Sequence, residues 1–206
     1  MIDISPLISP RIAVWPGDVD FSRDVSLDTN TGDPLTLSSI RSTVHLGAHV
    51  DAPNHYDAAA QGIDERSLER YYGPCQVMRV SLPRGERVLP RHLSAPITAP
   101  RVLFHTGSFP DPEAWNEDFN SLSAALVDHL HAQGVELVGI DTPSIDPQND
   151  KALEAHHAVA EHDMAILEGI VLDHVEPGLY TLCALPLRIE GADASPVRAV
   201  LIEGTK

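Results

Sequence analysis

The sequence predicts an α/β domain, a mixed β-sheet with flanking helices. Short apolar, β-branched runs alternate along the chain with helix-like segments, and strand candidates outnumber helix candidates. The length of 206 residues suits one domain with a full apolar core, so residues 1–206 are expected to fold as a single unit. An apolar fraction of 43% and a charged fraction of 21% are those of a globular chain and exclude disorder and collagen-like repeats.

Taken in order, residues 2–4 and 21–27 are short strand candidates. Residues 35–44 set Leu35 and Leu37 against Thr36 and Ser38, the alternation of a half-buried strand. Residues 67–72 form a short helix candidate. Residues 76–82, 101–105 and 135–140 are apolar and β-branched enough for buried strands. Pro and Gly mark surface turns at 83–87 and 110–112. A helix is expected over 123–133, with Ser123 as N-cap and Gly134 ending it. A third helix is expected over 151–161, capped by Asp150. Strands at 166–172, 178–185 and 197–202 complete the sheet.

Fourteen Lys and Arg against thirty Asp and Glu give a formal charge of −16. Such a chain is repelled by phosphate backbones and anionic lipid, which argues against nucleic acid and membrane as partners. No apolar run approaches the roughly 20 residues that cross a bilayer. The start, Met1-Ile-Asp-Ile-Ser-Pro, lacks the basic and apolar regions of a secretory signal. Cys75 and Cys183 both sit in apolar stretches and read as reduced thiols rather than a disulfide. A cytoplasmic protein is expected.

Eleven histidines are many for this length, and the segment His45-Leu-Gly-Ala-His49-Val-Asp51-Ala-Pro-Asn-His55 gathers three of them with a carboxylate. Gly47 and Pro53 argue against a helix, so a loop after the 35–44 strand is expected. On extended backbone His49 and Asp51 project the same way, and the segment can wrap one centre with His45, His49 and Asp51. Imidazole and carboxylate together suit Zn, Mn, Fe or Ni better than Ca or Mg. A single histidine here would be an ordinary surface or core residue, but a fold gains little from this density. Further ligands have two sources. Glu154, His156, His157, Glu161 and His162 crowd the third helix candidate. Glu168 stands alone in an apolar run, where it is costly unless paired or bound to a cation; the alternative is a solvent-facing position on an edge strand.

The pattern His45-x-Gly-x-His49-x-Asp51-x-Pro-x-His55 resembles the signature of the metal-dependent cyclase family, and within it the bacterial arylformamidases. Trp15-Pro-Gly-Asp18, Thr106-Gly-Ser-Phe-Pro110, Gly139-Ile-Asp-Thr-Pro-Ser144, Ala155-His-His157 and Leu167-Glu-Gly169 match further blocks in the same order. The resemblance implies the family's swivelling β/β/α fold and a homodimer. It implies two zinc ions per subunit, with Mn or another divalent metal as alternatives. His45 and His49 would bind one ion, and Asp51 and Glu168 would bridge both. A histidine twelve residues before the glutamate, His156, would bind the second, with adjacent His157 as the alternative. His55 would be the acid/base residue, and Trp15 would hold the aromatic ring of the substrate. The implied reaction is hydrolysis of N-formyl-L-kynurenine to L-kynurenine and formate. Metal would acidify water and polarise the carbonyl, while His55 would protonate the leaving nitrogen. Two departures stand out: Ala48, where many members carry Thr, and His105, where Arg is expected.

Trp115 is expected to pack within its own domain or at a subunit contact. Thr142 and Ser144 lack the Gly-x-Ser-x-Gly elbow of a serine nucleophile. Two other readings compete: a related hydrolase of another cyclic or aryl amide, and a metal-binding protein without catalysis. His55, in excess of a sufficient ligand set, argues against the second.

Overall fold

The longest apolar runs become adjacent parallel strands. In the computed structural model, which describes residues 1–204, Tyr72–Arg79, Arg101–His105, Leu137–Ile140 and Ala165–Glu168 lie side by side in that order, each parallel to the next. Strands covered on both faces need apolar side chains at successive positions. Val102, Phe104, Val138, Ile140 and Ile166 pack on one face, and the intervening Leu103, Leu137, Ala165 and Leu167 pack on the other.

Antiparallel strands extend both ends. Gly178–Cys183, Val200–Glu203 and Ile2–Asp3 follow on one side. His49–Asp51 and then Ala194–Pro196 follow on the other. In the resulting nine-stranded mixed sheet, Val50 from one end and Leu182 and Leu201 from the other share one buried cluster with Leu103 and Leu167. The sheet therefore curls around that cluster. Two helices, α1 (Ala124–His131) and α2 (Glu154–Glu161), cover the opposite face. Their Leu126, Leu130, Ala155 and Val159 pack with Phe104 and Ile140. This is the α/β fold with a mixed sheet and flanking helices that the sequence predicts. Among the described residues no helix is long and apolar enough to cross a membrane.

Ser123 caps α1 as expected, its Oγ accepting from the Leu126 N–H at 3.1 Å. The second helix departs from expectation. It starts at Glu154, after Leu153 in the left-handed region (φ 48°), and Asp150 does not cap it. Asp150 accepts instead from Ala152 N–H at 2.7 Å within the preceding turn. The free N–H groups of Ala155 and His156 donate to Asp146, at 3.1 and 3.0 Å, a carboxylate favoured at a helix N-terminus. A cap eight residues ahead of its helix leaves no local pattern to read.

Other differences are smaller. Residues 67–72 form a 3-10 turn, Leu68–Tyr71. The alternating segment 35–44 yields Leu37–Arg41, which pairs only with Ser22–Leu27. It is exposed along its whole length rather than half-buried, because no other element among the described residues covers the face that alternation creates. Two three-residue strands, His49–Asp51 and Ala194–Pro196, were too short to show periodicity; the first lies inside the segment expected to be a loop. Cys75 and Cys183 are both free.

Candidate active site

The segment 45–55 forms one buried strand of the sheet and ends in a 3-10 turn over Pro53–His55. In the strand, His49 and Asp51 are each 2% exposed and project to the same side. Strand Ala165–Glu168 lies beside it, with Glu168 opposite His49. Glu168 is therefore interior and 2% exposed, not on a solvent-facing edge. A glycine permits this approach. Gly169 has φ +64°, and a Cβ there would lie 2.1 Å from the carbonyl oxygen of Gly47. The Gly169 N–H donates to Thr142 C=O at 2.8 Å, and the Ile145 N–H donates to Glu168 Oε1 at 2.6 Å. The 139–144 block thus serves as the scaffold that holds Glu168.

The five predicted ligands converge as two sets that share Asp51: His45, His49 and Asp51, and Asp51, His156 and Glu168, the ligand atoms of each set lying within 4.8 Å of one another. His49 Nε2 is 3.5 Å from Asp51 Oδ1 and 3.2 Å from Glu168 Oε2. His156 Nε2 is 3.5 Å from Asp51 Oδ2 and 3.7 Å from Glu168 Oε1. His45 Nδ1 is 3.1 Å from Asp51 Oδ1. His157, the alternative, is exposed on the other side of α2.

The donor chemistry fits a cation. His49 Nδ1 lies 2.9 Å from the Gly47 carbonyl. A carbonyl only accepts, so Nδ1 carries the proton and the lone pair of a neutral ring sits on Nε2. Asp146 fixes His156 in the same way, Nδ1 to Oδ2 at 2.7 Å. Both Nε2 lone pairs then face carboxylates. His49 Nε2 and both oxygens of Asp51 are buried without a hydrogen-bond partner. Buried acceptors facing one another are costly unless a positive charge lies between them. A divalent ion satisfies the set, and backbone or carboxylate partners on the far nitrogens are the usual supports of ligating histidines.

Electrostatics say the same. Burial disfavours charge on His45, but the carboxylate of Asp51, 3.1 Å from its Nδ1, outweighs it and pushes the ring up to about 9. His156 is likewise disfavoured by burial, yet Asp146 and Asp51 raise it to about 10. Burial raises the Asp51 carboxyl, but His156 and His45 hold it well below its ordinary value. Without a cation the carboxylates recruit protons onto the imidazoles; binding of a metal would release them.

His55 stands apart from both ligand sets that contain Asp51. Its ring centroid is 4.3 Å from that of His45 and 6.2 Å from that of His156. Burial lowers its pKa, and the charge of Asp51 only partly opposes this, so it is neutral at pH 7. Its Nδ1 lies 3.5 Å from Asp193 Oδ2. These groups open onto a cavity of about 310 Å³ lined also by Trp15, Phe109 and Trp115. Trp15 and Trp115 meet edge to face at 5.3 Å.

Sequence reasoning missed several residues. Trp115 does pack within the domain, on Phe109 and Phe119, but it also walls the cavity, which was not expected. Asp146 and Asp193 carried no signal, because isolated acids in an acidic chain look alike. Of the two departures, only Ala48 adjoins a ligand, preceding His49 in the chain. Ala48 is 2% exposed and lies in the apolar cluster; His105 Nε2 sits 3.2 Å from Asp173 Oδ1, beside the cavity wall.

Residues 2–147 match the family model described as "Putative cyclase". The chain is 45% identical over 205 residues to the kynurenine formamidase of Maricaulis maris (strain MCS10), covering 98% of each chain. Among solved structures, the "predicted metal-dependent hydrolase" of Bacillus stearothermophilus matches with a TM-score of 0.79 at 25% identity, over 97% of this chain and 96% of that one. Isatin hydrolase A of Labrenzia aggregata matches with a TM-score of 0.80 over 97% and 92%. At 20% identity the latter is a likeness of fold.

Proposed function

On the premise that the chain belongs to the cyclase family, we propose that it is an arylformamidase, hydrolysing N-formyl-L-kynurenine to L-kynurenine and formate in tryptophan degradation. The carrying observation is the pair of buried Nε2 atoms, of His49 and His156, aimed at Asp51 and Glu168 beside an aromatic-walled cavity. The name of the 45% identical relative supports the substrate.

In this reading His45, His49 and Asp51 would hold one divalent ion and Asp51, His156 and Glu168 a second; both ions are expected to be zinc. Bound there, the metal supplies Lewis acidity, lowering the pKa of water from 15.7 towards roughly 7 and polarising the formyl carbonyl. The protein's own groups do the rest. Gly47 O and Asp146 orient the imidazoles of His49 and His156, and the Ile145 N–H fixes Glu168. His55, neutral at pH 7, has Nδ1 turned to Asp193, leaving Nε2 to accept a proton and return it to the departing aniline nitrogen. Trp15 and Trp115 hold the aryl ring edge and face.

A cytoplasmic homodimer belongs to the same reading. The uncovered face of the Ser22–Leu27 and Leu37–Arg41 hairpin, with Ile40 69% exposed, supports a second copy, since a lone two-stranded hairpin is marginal in water.

The test is metal analysis of the purified protein with an absorbance assay of formylkynurenine turnover. Two equivalents of metal and turnover support the proposal. Turnover confined to a cyclic aryl amide would move it to the related hydrolases, and bound metal with no turnover of either substrate would leave a metal-binding protein.

A further inference from the structure

Each of the two fully buried imidazoles of the centre has its second nitrogen occupied: His49 by the Gly47 carbonyl and His156 by Asp146. We propose that Asp193 is the corresponding positioning residue for His45, and that the same carboxylate oxygen also orients His55. The inference rests on the metal-dependent hydrolase reading above and assigns Asp193 a role within that site.

Asp193 directly precedes the strand Ala194–Pro196, which pairs with His49–Asp51. Its carbonyl accepts from the Ala52 N–H at 2.8 Å, so its main chain is clamped to the residue that follows Asp51. From there Oδ2 reaches two rings, His45 Nε2 at 3.0 Å and His55 Nδ1 at 3.5 Å. His45 thus spans two carboxylates. With its Nε2–H donated to Asp193, its Nδ1 lone pair is directed to the ligand set that contains Asp51, 3.1 Å away. Such partners fix tautomer and ring orientation. His55 is half-exposed, and Asp193 is its nearest side-chain carboxylate contact, so one carboxylate oxygen hydrogen-bonds the metal ligand and lies against the acid/base ring.

The Asp193 side chain is itself 47% exposed. It fills no core space, and its main-chain clamp does not involve the carboxylate. Asp193→Ala should therefore leave the fold intact while loosening both rings.

The test uses the metal-loaded enzyme and the variants Asp193→Ala and Asp193→Asn. Metal affinity is measured by chelator competition without substrate, and kcat and KM are measured separately. Asp193→Ala is expected to weaken metal binding about 10- to 100-fold and to lower kcat with KM little changed. Asp193→Asn, which keeps the volume and one acceptor, should recover part of both. If folded Asp193→Ala binds metal and turns over as the parent does, the assignment is wrong. Should that variant fail to fold, parent-like behaviour of Asp193→Asn overturns it equally. The affinity arm needs no substrate, so a parent enzyme inactive on formylkynurenine would refute the substrate and leave Asp193 to be judged on metal binding.

Discussion

Replacing Gly169 with alanine probes the contact that brings the two halves of the candidate centre together. The added methyl would sit 2.1 Å from the Gly47 carbonyl oxygen and 2.8 Å from its carbonyl carbon. Both are backbone atoms, so no rotamer change relieves the clash. The φ of +64° adds about 1–2 kcal/mol for a residue with a Cβ, and forcing the strands apart adds about 1–3 kcal/mol. The sum, about 2–5 kcal/mol, corresponds to a fall in Tm of roughly 4–20 °C at this chain length. The displaced Gly47 carbonyl is also the acceptor that sets His49, so metal affinity should fall with stability. Calorimetry and chelator titration measure the two effects. A Gly169→Ala protein with the parent's Tm and metal affinity would show that this backbone approach does not hold the site together.

Other substitutions separate the roles. His55→Ala should keep its metal and lose turnover by about 10²- to 10⁴-fold; loss of metal on analysis would make His55 a ligand. His156→Ala should lose metal while His157→Ala, altering an exposed ring, should not, and the reverse order would move the second set by one residue. Asp163 is remote from the cavity. Burial raises its carboxyl, but the hydrogen bond from Arg66 and the charges of Arg66 and Arg70 together outweigh this and hold it below 3.8. A depressed carboxylate stabilises above the unfolded pKa and loses that contribution as pH falls through the folded pKa. Asn tolerates the left-handed φ of 49° at this position. Asp163→Asn should therefore melt below the parent at pH 7, with the gap closing as the pH falls below 3.8; a gap independent of pH would refute the ion-pair account.

What could be read from the sequence followed the range of its signals. Strand 101–105 was legible to the residue because both faces are covered and its centre, Val102, Leu103 and Phe104, is continuously apolar, and Ser123 because a cap acts within three residues. The ligand segment was legible by its density, and Glu168 by the cost of a lone acid in an apolar run. Distance in sequence defeated the rest. Asp146 caps a helix that begins eight residues later, Asp193 meets His45 across most of the chain, and Trp115 lines the cavity where its loop meets Trp15, a hundred residues earlier. The hairpin misled because alternation records a face to be covered, without saying that the cover comes from the same chain.

The strand His49–Asp51 is inserted between two neighbours, Ala165–Glu168 and Ala194–Pro196, that leave the ribosome more than a hundred residues after it. At about 5–20 residues per second, the imidazole cluster waits on the order of ten seconds before either flank exists. In that interval it is a loose chelating peptide, lacking Glu168 and the carboxylate at 193. Selective capture of a cation therefore belongs to the last stage of biogenesis, and a truncated chain ending before residue 165 should hold metal no better than an unstructured histidine-rich tail.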